Sequence, residues 1–307
     1  MDFKKTIRLL GPLLIEGVLS VRQNSNDRLV EMLHQLEFAT RNITKTQDQL
    51  TIELQILDPD LLYLLLAGEA NKFLLASRVS HQRSMQNQPN NASWQAIESY
   101  YAAYFAVHYL LRLTGVSVTN LDERGCSAIE RSNYGVKPGF AITGGLYAMT
   151  YDSSTELLKL TKSTKKSGGS HKEAWQLWEG LIERLQGRTN SDPVEYARVS
   201  VDLAEHKSFL IRSTAKYNPP EIRGEINYQF KGGVWIFEKK SAKSVGVLQR
   251  SLAGDQNPTL SSATNPEGLI ANNKMIIGLA KEVFLHASEK YPKSVSRSIS
   301  NKYKSYV

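Results

Sequence analysis

The sequence predicts a mostly α-helical protein, a multi-helix bundle with a small β-hairpin or short sheet. Several apolar sets recur at helical spacing, and proline, serine, asparagine and glycine punctuate them where helices start and stop. Only two short stretches alternate with a period of two. Of 307 residues, 41% are hydrophobic and 22% charged, which excludes a disordered chain and allows a sizeable core.

The chain begins MDFKKTIRLLGPLLIEGVLSV, basic residues before an apolar run. Pro12 and Glu16 interrupt the run and no small-residue cleavage site follows, so the segment reads as an amphipathic piece packed on the body and not as a signal peptide. Leu29, Met32, Leu33 and Leu36 form one amphipathic set. Leu50, Ile52, Leu54 and Ile56 alternate with polar residues and predict a strand.

Asp58-Pro59 supplies an N-cap and first-turn proline for a long helix reaching about Gln82. Ser93 opens the next, closed by Gly115. Ser170-His171-Lys172-Glu173 is a capping box before Ala174, Leu177, Trp178, Leu181, Ile182 and Leu185. Asp192-Pro193 predicts a helix to about Ala215, and Asn265-Pro266 one to about Lys290. Ile226, Tyr228 and Phe230 alternate, then Lys231-Gly232-Gly233 precedes Val234-Trp235-Ile236-Phe237, which predicts a hairpin over 225–238. Residues 116–169, with seven glycines, show little periodicity.

These boundaries suggest an N-terminal helical segment with a strand (1–57), a helical bundle (58–290) carrying an inserted basic loop at 158–172, and a basic C-terminal tail (291–307). The longest apolar run, Leu61 to Gly68, falls far short of the roughly 20 residues a membrane helix needs. The single cysteine, Cys126, excludes an internal disulfide framework and fits a reducing, cytoplasmic compartment. It reads as a small core residue on a helix.

The net charge of +8 is concentrated in two places. Residues 158–172 hold five lysines and no acid, and residues 287–307 hold four lysines and one arginine against Glu289. The second patch interleaves its cations with Tyr291, Tyr303 and Tyr306. Cations neutralise phosphates and tyrosines stack on unpaired bases, so Lys162, Lys165, Lys166, Lys302 and Lys304 are the candidate nucleic-acid contacts.

There is no phosphate-binding glycine loop, dinucleotide fingerprint or nucleophile elbow. The six histidines are not spaced for a metal on one helix face, so no metal or other cofactor is expected. His108, between Val107 and Tyr109, reads as a core histidine.

Two segments carry a resemblance. In the first, Ser99 to Leu111, the pair Tyr100-Tyr101 is followed by Ala102-Ala103-Tyr104-Phe105-Ala106 and a leucine run. In the second, Arg223 is followed by Gly224, Glu225, Ile226, Asn227 and Tyr228. Together they resemble the core helix and the arginine–histidine motif of the HEPN superfamily, across about residues 60–230. The resemblance implies that the arginine holds a scissile RNA phosphate while a histidine moves protons. Tyr228 stands where that histidine is expected, and a phenol titrating near 10 is a poor base at neutral pH. Arg28 and His34 have comparable spacing but precede the Tyr-Tyr segment, out of order for the family.

The resemblance implies a helical protein that binds RNA or a protein partner, as part of a bacterial toxin–antitoxin or phage-defence system. Two alternatives stay open. One is an active, metal-independent endoribonuclease using Arg223, Glu225, Asn227 and Tyr228, with a histidine from elsewhere such as His206 or from a second protomer. The other is a scaffold subunit of a larger complex, docking a protein or a second copy of itself.

Overall fold

The computed structural model describes residues 1–86, 91–133, 138–163, 169–213, 216–238, 241–254 and 259–303, apart from the side chains of 242–244. It is mostly helical with a short sheet. The N-terminal region forms helices α1 (Phe3–Leu10), α2 (Glu16–Ser20) and α3 (Leu29–Met32) and strands β1 (Phe38–Lys45) and β2 (Gln49–Ile56). Then come α4 (Asp60–Met85), α5 (Ala92–Leu113), β3 (Val116–Leu121), α6 (Glu123–Arg131), β4 (Gly145–Asp152) and β5 (Leu157–Ser163). The remainder is α7 (Gly169–Arg188), α8 (Ala197–Leu210), the two-stranded β6 (Ile211–Ser213) and β7 (Lys216–Tyr217), α9 (Asn218–Gln229), α10 (Ser241–Ala253), α11 (Pro266–Lys290) and α12 (Val295–Lys302).

Helix α5 is the axis. It packs against α4, α7, α9 and α11, and Ala102, Ala103 and Ala106 are wholly buried, so small side chains let those neighbours approach. Tyr100, Tyr109, Leu110 and Leu111 fill the space around them. At its end Gly115 takes φ +72, and a Cβ there would meet the Tyr151 carbonyl at 2.6 Å, so a glycine is required on both counts.

The main sheet is antiparallel in the order β1-β2-β5-β4-β3. The alternation predicted for β2 is observed, with Leu50, Ile52, Leu54 and Ile56 all buried. One hydrophobic core runs from Leu9 in α1 to Ala287 in α11, so the N-terminal 57 residues share the core of the bundle. Helix α1 packs on α11, where Gly278 leaves room for the Phe3 ring. Among the described residues no helix is long and apolar enough to cross a membrane.

Four expectations need correction. Residues 225–238 are not a hairpin: the chain is helical to Gln229 and turns at Phe230, which takes φ 51. Pro219 and Pro220 open that helix and Ile222 and Ile226 bury one face of it, whereas Tyr228 and Phe230 are exposed, so Ile226, Tyr228 and Phe230 do not share a buried side. The basic segment is not a loop where it is described. Leu158 and Leu160 are wholly buried in β5, between β2 and β4, and residues 169–172 are the first turn of α7. The helix expected from Pro193 to Ala215 begins at Ala197 and ends at Leu210. It stops because the Asn218 side-chain amide donates to the Phe209 and Ile211 carbonyls and pulls the chain into β6. The C-terminal region is helical over Val295–Lys302, tied to the body by Val295 N–H donating to the Val21 carbonyl at 2.8 Å.

His206, considered as an outside histidine for catalysis, is wholly buried. Trp178 Nε1–H donates to its Nε2 at 2.8 Å, so Nδ1 carries the proton and donates to Asn272 Oδ1 at 2.8 Å. Both nitrogens are spent, and burial holds the pKa down at about 4 against 6.5. A group depressed in the folded state stabilises fully above its unfolded pKa and loses that contribution as pH falls toward the folded one. His206 should therefore cost about 3 kcal/mol of stability between pH 7.5 and 4, because the unfolded chain takes up a proton that the folded chain refuses. Urea denaturation at pH 7.5, 6 and 5 checks this: stability should fall with pH, and His206→Gln should flatten the fall.

Candidate functional site

Helices α5, α7 and α9 bring one arginine, one histidine and four tyrosines together. Arg223 projects from the middle of α9. Its Nη2–H donates to the Tyr101 hydroxyl at 3.1 Å, and the guanidinium lies 5.5 Å from the Tyr100 and Tyr101 ring centres and 5.7 Å from that of Tyr228. No carboxylate among the described residues pairs with it, and Nε is buried without a hydrogen-bond partner. A half-buried arginine held by aromatic faces, with no counter-ion among the described residues, is poised for an anion.

His171, in the first turn of α7, is the histidine this site holds. It stacks on Tyr104 with ring centres 4.3 Å apart and 18° between planes. Its Nδ1 lies 2.6 Å from the Tyr100 hydroxyl, which also accepts Trp175 Nε1–H at 3.3 Å. Burial pushes the Tyr100 phenol well above its ordinary value, so it keeps its proton. Among the described residues His171 Nδ1 is the one acceptor within reach of its O–H, so the O–H donates there and fixes the imidazole proton on Nε2. Burial, then the Arg223 charge, lowers the His171 pKa. His171 is thus neutral at pH 7, and its Nε2–H is a hydrogen-bond donor without a partner among the described residues.

The other predicted site residues divide. Asn227 is one helical turn from Arg223, on the same face, and Tyr228 packs over the guanidinium. Glu225 lies about 200° around the helix from Arg223 and is held by Arg212 Nη2 at 2.6 Å. It is a structural ion-pair partner. Lys162 is likewise engaged: its Nζ donates to Thr143 Oγ1 at 3.1 Å and to the Gly144 carbonyl at 2.6 Å, bracing the entry to β4. Lys302 is at the end of α12, with its ammonium 5.3 Å from the Tyr303 ring centre. Lys165, Lys166 and Lys304 lie outside the described residues. Arg28 and His34 line different cavities, so their spacing brings no site together. Cys126 is buried in α6, and burial raises its thiol pKa, which makes it a poor nucleophile.

Sequence reasoning missed His171, which was read only as part of a capping box, and gave Tyr101 no role. It also missed an aromatic platform anchored to α9 through Trp235. Phe230, Trp235 and Phe237 pack with ring centres 5.5 to 5.7 Å apart, and Trp94 meets Trp235 at 6.0 Å. Tyr228 is 70% exposed and Phe237 65% exposed. The loop is held by one carboxylate: Glu238 accepts the backbone N–H groups of Gly233, Val234 and Trp235 at 2.7 to 3.1 Å. Trp235 Nε1–H donates to the Ile226 carbonyl at 2.8 Å. Glu238→Ala should leave three amides without their acceptor, loosening the loop by about 1–3 kcal/mol. Hydrogen exchange at Gly233–Trp235 should rise while the α5 and α11 amides stay protected.

Comparison with protein-family models, with curated proteins and with solved structures found no match.

Proposed function

We propose that this is a HEPN-like helical protein that binds single-stranded RNA without efficient cleavage, in the setting of a bacterial toxin–antitoxin or phage-defence system. The carrying observation is that Arg223, without an ion-pair partner among the described residues and ringed by tyrosines, lies on the helix whose Ile226 carbonyl anchors a braced aromatic platform. The arginine would hold a phosphate and the exposed rings would stack on flanking bases. Arg223 to Tyr228 lie on one helix, which holds the arginine and the tyrosine in fixed register. His171 supports binding over catalysis. Its Nδ1 is taken by Tyr100, and the remaining Nε2–H donates, which suits a phosphate oxygen and not the abstraction of a 2′-hydroxyl proton.

The exposed aromatics also favour a second reading, a protein partner or second copy seated on the same platform. One experiment separates these readings. End-labelled single-stranded RNA is incubated with the purified protein in EDTA across a salt series. The proposal expects retention of intact RNA, with affinity falling steeply as salt rises. Cleavage that disappears in His171→Gln would establish the endoribonuclease instead. Absence of binding at low salt would overturn the RNA reading and leave the protein partner.

A further inference from the structure

A cavity of about 500 Å³ opens between α4, α5 and the β3–β4 edge of the sheet, a volume suited to a small-molecule ligand. Phe73, Phe105, Val118 and Leu146 give it aromatic and apolar walls. Its inner end holds two polar side chains, Arg112 and His108, each only 4% exposed. Arg28 and Lys72, both exposed, mark the outer end, with Arg28 3.6 Å from the Glu31 carboxylate and Lys72 Nζ donating to the Asn26 carbonyl at 2.6 Å.

The hydrogen bonds at the inner end leave donors over. Arg112 Nε–H donates to Glu69 Oε2 at 2.7 Å, and Nη1 donates to His108 Nδ1 at 3.1 Å. A guanidinium has no acceptor, so Nδ1 must accept and the His108 proton sits on Nε2. Glu69 Oε1 accepts the Leu29 N–H at 2.9 Å, so each oxygen of the carboxylate lining the cavity already accepts one hydrogen bond. What remains without a partner among the described residues is Arg112 Nη2 and His108 Nε2–H. Burial, then Arg112, holds the His108 pKa well below its ordinary value, so the ring stays neutral and keeps this tautomer. A deep pair of donors selects a ligand edge made of acceptors.

We propose that this cavity binds a guanine nucleotide, with N7 and O6 accepting from Arg112 and His108, the ring against Phe73 and Phe105, and the phosphate drawn to Arg28 and Lys72. Guanine presents two acceptors on one edge, whereas adenine's N6 amine would set donor against donor. The source is either a free nucleotide or a guanosine within RNA, and the proposal does not rest on the Arg223 reading.

Isothermal titration of the full chain with GMP, guanosine and AMP tests it. GMP should bind, and AMP should bind at least about tenfold more weakly. Lys72→Ala, at an exposed position, should weaken GMP about tenfold and leave guanosine unchanged. Ala76→Phe, which fills the cavity wall, should abolish binding of both. Arg223→Ala should not alter GMP affinity, so failure here is distinct from failure at the Arg223 site. Displacement of GMP by a guanosine-containing oligonucleotide, but not by oligouridine, would identify RNA as the source; absence of displacement would identify the free nucleotide. Equal affinities for GMP and AMP would overturn the proposal, as would GMP binding that survives Ala76→Phe. Should circular dichroism show Ala76→Phe misfolded, GMP affinity unchanged in Arg28→Ala/Lys72→Ala would overturn it as well.

Discussion

Arg223→Ala should lower affinity for single-stranded RNA by about ten- to a hundredfold, the range of a charge-assisted hydrogen bond to phosphate. The fold should tolerate the change. Arg223 makes one hydrogen bond, to Tyr101, has no ion-pair partner among the described residues, and leaves Nε buried and unsatisfied. Its removal deletes a costly group as well as a contact, so the thermal midpoint should move little. Arg223→Lys should recover only part of the affinity, because an ammonium cannot reproduce the planar fork held between tyrosine rings. Fluorescence anisotropy with a labelled oligonucleotide reads the affinity. Equal binding by wild type and Arg223→Ala would mean that the arginine is only a packing element.

Glu69→Ala should destabilise the protein by about 3–5 kcal/mol, the cost of leaving a buried cation without its partner. Arg112 is 4% exposed, and burial lowers its pKa while Glu69 works against that. Removing Glu69 also strands the Leu29 N–H and so loosens the start of α3. Replacing both charges, as in Glu69→Leu/Arg112→Met, should cost much less than Glu69→Ala alone, because the desolvation of both ions disappears with their attraction. Urea denaturation of wild type, the single and the double variant measures the difference. A double variant at least as unstable as the single would show that shape, and not charge, governs this position.

Much of the helical frame was legible in the sequence because its helices carry their own punctuation. Asn265 accepts the Gly268 N–H at 2.8 Å and opens α11, as its position before Pro266 predicts. Strand β2 was legible because one face is buried and the other is not. The rest of the sheet was not. Strand β3 is buried at five of its six positions, so it shows no alternation, while β1 at the edge has no fully buried residue to set a period. In β5 the buried Leu158 and Leu160 flank Lys159, and the lysines of the segment drew attention to charge instead. Arg223 was legible through a local motif. His171 was not, since it lies 52 positions before Arg223 and only the packing of α7 and α9 on α5 brings the two together. The Glu238 clasp was equally hidden, because a carboxylate gathering three amides leaves no periodic mark.

The most direct test of the account is to learn where RNA touches the chain. Single-stranded RNA carrying 4-thiouridine would be irradiated with the full-length protein, and the adducts mapped by mass spectrometry after digestion. The account predicts adducts on Tyr228, Phe230 or Phe237, lost when Arg223→Ala is used. Adducts confined to the C-terminal helix, with none between residues 218 and 238, would contradict it.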